Sequence, residues 1–169
     1  AQEVDVELVS LTGGTARNAI PPTAEAIVRT AMDERSIARL LAAEEKRFHA
    51  IYGEADPAMK FTLHPAHEAG RVIGEEEQRA LIDLLVLLRT GVHVMTHTQT
   101  GGVETSANLG VVRMDETEVH VAFFPRSSVN ERLDEIVCET ETLAALTGFS
   151  LVVGTASPAW RENPKSKLR

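Results

Sequence analysis

Arg126 and Asn18 are the residues whose types and placement best suit small-molecule chemistry. Arg126 follows Pro125 at the end of a strand-like run, where a guanidinium can reach out from a sheet edge. Asn18 lies in a loop closed by Pro21-Pro22, which must be rigid and extended because proline fixes φ. Arginine offers a planar fork of donors, and an amide beside it would complete a seat for a substrate carboxylate. The plainer alternative for each is a structural cap or a solvated side chain. The six histidines include His64-x-x-His67 and His93-x-x-x-His97. Paired histidines can bind metal, but no Cys-x-x-Cys or His-Glu-x-x-His accompanies them. On a strand, His93 and His97 would share a face yet stand ~13 Å apart. They read as solvated or hydrogen-bonded histidines. Cys138 has Glu135, Glu139 and Glu141 for neighbours, the wrong setting for a reactive thiolate, and reads as buried or inert. Gly13-Gly14 lacks the lysine and serine of a phosphate loop.

The totals narrow the classes open to this chain. Its 169 residues fit one domain with a sizeable core. The composition, 43% hydrophobic and 25% charged, is that of a globular protein. A net charge of −8 without a basic patch argues against nucleic acid or an anionic membrane as partner. No apolar run approaches the roughly 18–20 residues of a membrane span. Residues 1–20 show no basic start followed by an apolar core, so no signal peptide is expected, and a single cysteine permits no internal disulfide. A cytoplasmic protein is the expectation. Aromatic content of 4% requires an aliphatic core.

The elements that must position Asn18 and Arg126 follow from hydrophobic periodicity. Val4 to Leu8 alternates as a strand, broken at Thr12-Gly13-Gly14-Thr15, and Ala24 to Thr30 reads as its antiparallel neighbour. Asp33 is placed to cap a helix, with Ser36 three residues on. Ile37, Leu40, Leu41, Phe48 and Ile51 then recur at helical spacing as far as Tyr52 and Gly53. Residues 54–74 are irregular. Glu75-Glu76-Glu77 favours a second helix start, and Ala80 to Leu88 makes that helix the most apolar, with Gly91 as its stop. Val92 to Thr98 is an ambiguous short strand. Val103 to Met114 and Glu118 to Phe124 form a hairpin around Asp115-Glu116-Thr117, with Pro125 ending the second strand. Ser127 or Ser128 caps a third helix that stops at Gly148, and Phe149 to Val153 reads as a last strand.

The resulting order, β-β-α-α-β-β-α-β, predicts an α+β fold. It should have two layers, an antiparallel sheet with helices mainly on one face. The second half is ferredoxin-like, and an opening β-α is missing. No repeat or second domain boundary stands out, so residues 1–169 read as one unit.

Two stretches resemble a known family. Gly13-Gly14-Thr15-Ala16-Arg17-Asn18-Ala19-Ile20-Pro21 is similar to a motif of the bacterial aminoacyl-histidine dipeptidases, as is Val103-Glu104-Thr105-Ser106-Ala107-Asn108-Leu109-Gly110-Val111-Val112. Arg126-Ser127 matches that family's Arg-Ser after the next strand. Pro158-Ala159-Trp160-Arg161-Glu162-Asn163 resembles a further motif, with Ala159 and Glu162 departing from it. The resemblance runs in order along the whole chain, although about 33 to 98 matches only in length and helical character. It implies the lid, or dimerisation, domain of a zinc-dependent dipeptidase acting on Xaa-His dipeptides. The zinc belongs to a catalytic domain absent from this chain, and none is expected here. The implied partners are the substrate carboxylate, the catalytic domain of the same polypeptide and a second copy of the chain. By position, Asn18 and Arg126 match lid residues that hold the substrate's C-terminal carboxylate. Catalytic residues are implied elsewhere, and the chain alone should be inactive. The implied mechanism is metal-assisted hydrolysis, with the lid closing to position the dipeptide and exclude water.

Two other readings come from different classes. One is a ferredoxin-like regulatory module that binds a small ligand and assembles through sheet edges. The other is a free-standing enzyme using its own histidines. Metal-ligand motifs on both sides in a longer reading frame would support the lid. A native start and stop near residues 1 and 169 would support the module.

Overall fold

A computed structural model describes residues 6–66, 70–97, 101–115 and 117–155. The elements run β1 (Val6–Gly13), β2 (Ala24–Thr30), α1 (Glu34–Tyr52), α2 (Glu75–Leu87), β3 (Gly91–Met95), β4 (Val103–Met114), β5 (Val119–Ser127) and α3 (Asn130–Thr147). The fold is α+β: one antiparallel sheet of five strands with three helices.

β4 is the long central strand. β5 lies along one side of it, with Thr105 opposite Ser127 and Met114 opposite Val119. Its other side is shared: β3 pairs with the first half, and β1 touches only the far end, at Val112 and Arg113. β1 and β2 therefore splay away from β4 as a hairpin of their own. The inner edge of β1 is not left bare. The Gln78 side chain accepts from Leu8 N at 2.6 Å and donates to Val6 O at 2.8 Å, while Ile73 N donates to Leu8 O at 3.1 Å. An amide side chain from α2 thus stands in for a strand, satisfying groups that would be costly to bury unpaired.

α2 and α3 pack on each other and on one face of the sheet. Leu81, Leu84 and Leu88 from α2 and its end meet Ile136 and Ala144 from α3, over Leu8, Ala107 and Val112 of the strands. Each fully buried leucine contributes about 1.5–3 kcal/mol by leaving water. Thr105 is buried with them, its hydroxyl bonded to that of Ser127 at 2.9 Å, so the polar group does not go unsatisfied. α2 is apolar on more than its packed face: Ile82, Val86 and Leu87 are exposed.

α1 begins and ends as its sequence predicts. The Asp33 carboxylate accepts from Ser36 N and Oγ, and Gly53 closes the helix. Yet the helix buries none of its residues. Its apolar face meets the strand-free segment that follows, where Phe48 packs edge-on against Phe61 at 5.4 Å between ring centres. Leu40, Ile51 and Leu63 stay exposed.

Several sequence expectations about the elements differ from the structure. Gly91 does not end α2; it opens β3 with φ of 88°, while the helix closes at Leu88. α3 has Val129 rather than a serine at its N-cap, and the Ser127 hydroxyl instead accepts from Val129 N. Phe149 to Val153 lies outside any strand, since no described strand runs beside it to form a ladder. Pro125 does not terminate β5, which continues to Ser127. β5 has only β4 beside it among the described strands, so the missing proline donor can face outward at no cost to the ladder. The motif 158–163 lies outside the described residues.

Candidate functional site

The hairpin of β4 and β5 sets the orientation of everything around Arg126. Ser106 pairs with Arg126 and Asn108 with Phe124. Directly opposed residues point to the same side of a sheet, and residues two apart on a strand do as well. Arg126, Phe124, Ser106 and Asn108 therefore share one face. Phe123 points the other way, towards Leu88 and Ile136 of the helical layer. Arg126 thus stands on the face the helices leave open. It is exposed, and among the described residues no carboxylate pairs with it.

The loop carrying Asn18 is seated on this same face. Gly14, with φ of 68°, turns the chain out of β1. Its amide donates to Thr23 O at 3.2 Å, closing the loop's neck. Ala19 N bonds Ala16 O, making a tight turn around Arg17 and Asn18 where the prolines predict an extended connector. Pro21 and Pro22 follow the turn and do not constrain φ within it. The loop then meets β4 at two points. A side chain at Gly110 would collide with the backbone of Arg17, and one at Gly14 would collide with the carbonyl of Gly110. The Asn108 amide nitrogen donates to Arg17 O at 3.0 Å and to Ala19 O at 2.7 Å. From there Arg17 lays its guanidinium over the Phe124 ring at 5.3 Å, a cation–π contact. The two stretches singled out in the sequence, 13–21 and 103–112, are packed directly on each other.

Asn18 is exposed in this loop, and its side chain has no hydrogen-bond partner among the described residues. The structure therefore brings the Asn18 loop beside the strand that carries Arg126. Asn18 and Arg126 are both exposed, neither engaged with another described residue, and the loop of the first is packed on the sheet face that carries the second. Such a surface suits a small anion: the guanidinium supplies charge and two parallel donors, and the amide a further donor. Sequence reasoning missed Asn108, Gly110 and Phe124 as the seat of this loop. The signal available was the spacing of Asn108 and Gly110, two apart on one strand and so on one face.

The other candidate groups lie apart from this surface. His93 bonds Arg89 O at 2.9 Å, near Glu139 of α3. His64 and His97 are exposed, and His67 lies outside the described residues. Cys138, read as buried or inert, is exposed on α3, which corrects the burial half of that reading; a helix with one packed face leaves its other positions in solvent. Among the described residues Asp115, Glu118 and His120 bring three donor atoms together at the hairpin tip. Asp115 is held below the usual carboxylate range by the Thr117 amide first, then by the Glu118 amide and the Thr117 hydroxyl. These bonds and that between His120 and Glu118, at 2.7 Å, make the cluster a polar turn. With one carboxylate spent on the turn and all three groups in solvent, it does not fit a zinc centre closed by ordered ligands.

No family model matches the chain. Its structure is similar to the crystal structure of aminoacylhistidine dipeptidase from Vibrio alginolyticus, with a TM-score of 0.88 and 28% sequence identity, covering 99% of this chain and 34% of that one. Its sequence is similar to cytosol non-specific dipeptidase of Escherichia coli strain K12, 28% identical over 169 residues, which is 99% of this chain and 35% of that protein. The chain spans about a third of the length of the relatives it matches. Similarity of structure and of sequence extends along nearly the whole chain, which is homologous to the cytosol non-specific dipeptidase.

Proposed function

We propose that this chain is the lid and dimerisation domain of a zinc-dependent dipeptidase of the Xaa-His type, with Asn18 and Arg126 receiving the C-terminal carboxylate of the substrate. The observation that carries the reading is the open sheet face on which an arginine, unpaired among the described residues, stands near a pinned loop whose amide is likewise unengaged among them. Its support comes from two similar proteins, both dipeptidases by name. A dipeptide differs from an internal peptide segment in having a free carboxylate within reach of the scissile bond. A cation fixed on a rigid strand measures that distance and so selects for length. In this reading the zinc is held by a catalytic domain in another part of the polypeptide, and the chain's own residues bind and orient the substrate rather than react with it.

A second copy of the chain and the catalytic domain are the partners in this reading. The uncovered apolar side of α1 supports the first. The cytosolic name of one relative supports a cytoplasmic location, and no described helix is long and apolar enough to cross a membrane.

The test is made in the full-length protein. Arg126→Ala should lower kcat/KM on a Xaa-His dipeptide by roughly 30- to 1000-fold, the loss of about 2–4 kcal/mol from a charge-assisted contact, with zinc content unchanged. Arg126→Lys should restore little of it, because an ammonium cannot reproduce the fork. Full activity in Arg126→Ala would overturn the reading.

A further inference from the structure

We infer that Asn108 is a positioning residue for substrate binding, acting through the main chain on either side of Asn18; the inference rests on the carboxylate reading above. Its side-chain amide nitrogen has two hydrogens, and each is directed at a different carbonyl, Arg17 O at 3.0 Å and Ala19 O at 2.7 Å. Those carbonyls flank Asn18. One planar group therefore holds the peptide unit that enters Asn18 and the one that leaves Ala19, bracketing the residue that would touch the ligand. The orientation of the amide follows from chemistry, since both partners are acceptors and only the nitrogen can face them.

Among the described residues little else ties the turn to the sheet. Gly14 N to Thr23 O closes the neck, and Ala19 N to Ala16 O lies within the turn itself. Gly110 supplies clearance for the backbone of Arg17 but no bond. Arg17 over Phe124 is a side-chain contact that leaves the main chain free to pivot. Directional restraint on residues 17–19 thus comes from Asn108. Phe124, its cross-strand partner, sits two residues from Arg126 on the same strand, so one pair of strands sets both halves of the seat. Placing a ligand-binding amide to within a fraction of an ångström requires this kind of support from behind.

Chemistry predicts an asymmetry between substitutions. Asn108→Asp is nearly isosteric but replaces two donors with a carboxylate facing two carbonyls, so it should push the loop off. Asn108→Ala removes the bonds without the repulsion.

The experiment uses the full-length enzyme, with a Xaa-His dipeptide and the same dipeptide bearing a C-terminal amide as probes. Asn108→Asp, Asn108→Ala, Asn18→Ala, Arg126→Ala and the double variant Asn108→Asp/Asn18→Ala are compared. Asn108→Asp should lower kcat/KM for the free dipeptide by about 10- to 100-fold, the effect of displacing a binding group by roughly 1 Å, mostly through KM. The amide substrate should change far less, because it has no carboxylate to misplace. The double variant should be no worse than the more impaired single variant, as expected of residues acting through one contact. Asn108→Ala should show the same selectivity more weakly, and it carries the test if Asn108→Asp does not fold. Equal losses on both substrates in the Asn108 variants would overturn the inference while leaving the carboxylate seat standing, provided Asn18→Ala and Arg126→Ala remain selective. If those two variants also lose selectivity for the free dipeptide, the carboxylate reading falls and this inference falls with it.

Discussion

α1 and α2 carry the same kind of sequence pattern and meet opposite fates. Both have acidic first turns and apolar stripes at helical spacing. α2 sinks Leu81 to 1% exposure between α3 and the sheet. α1 buries nothing, and among the described residues Phe48 of its apolar face packs on Phe61. Periodicity reveals that a face wants to leave water; it does not say what will cover it. α2 finds its cover because the sheet is already there, built by β4 and its neighbours. Stability and function are divided accordingly: the α2–α3 layer supports the sheet from behind, while the other face holds the candidate site.

This contrast can be broken by mutation. Leu81→Ala should cost about 2–5 kcal/mol, because the surrounding packed core cannot collapse into the space. Chemical denaturation measures it, and a loss below 1 kcal/mol would mean the layer is looser than its burial indicates. Gly110→Ala should come next, at about 1–3 kcal/mol, since a methyl group there must displace the backbone of Arg17. Its sharper signature is local, a change in the amide resonances of residues 15–20 with the α2–α3 layer undisturbed. On α1, Ile51→Glu should leave stability within about 0.5 kcal/mol, as for other exposed positions. It should, however, weaken self-association of the chain in sedimentation, as expected if a second copy covers that face. A large stability loss would instead place Ile51 in a core.

The smallest effect concerns the α1 cap. Asp33 titrates below its ordinary value of 3.8, first because of the Ser36 hydroxyl and then the Ser36 amide. A folded-state pKa below the unfolded one means that the cap's contribution is complete above the unfolded value and lost as pH falls through the folded one. Helical chemical shifts at residues 34–38 should relax in that acid range and be insensitive to it in Asp33→Ala.

Much of the fold was legible because it is written locally. β4 runs from Val103 to Met114 as its apolar run indicates, and β2, the Asp33 cap and the Gly148 stop lie where their residue types predict. Features that depend on neighbours were not legible. Pro125 looked like a strand end because the outer position of β5 cannot be seen in the sequence. Phe149 to Val153 has strand composition but no described ladder partner. The loop seat was hidden for another reason. Asn108 acts on carbonyls about 90 residues away, and every residue has a carbonyl, so the partners leave no trace in residue type. Asn18 and Arg126 could be singled out because an exposed arginine and a proline-bounded amide are conspicuous in themselves. That the loop of one lies on the strand pair of the other comes from the pairing of β4 with β5 and from Asn108.

The Gln78 side chain gives the β1–β2 hairpin an unusual timekeeper. An amide hydrogen in a paired strand exchanges with solvent when the strands part. The Leu8 hydrogen is held instead by a side chain rooted in α2, so its exchange should follow the loosening of that helix rather than the separation of β1 from β2. In deuterated solvent, Leu8 should keep the same clock as the interior amides of α2, and Gln78→Ala should set it free while its neighbours on the β2 side of the hairpin stay slow.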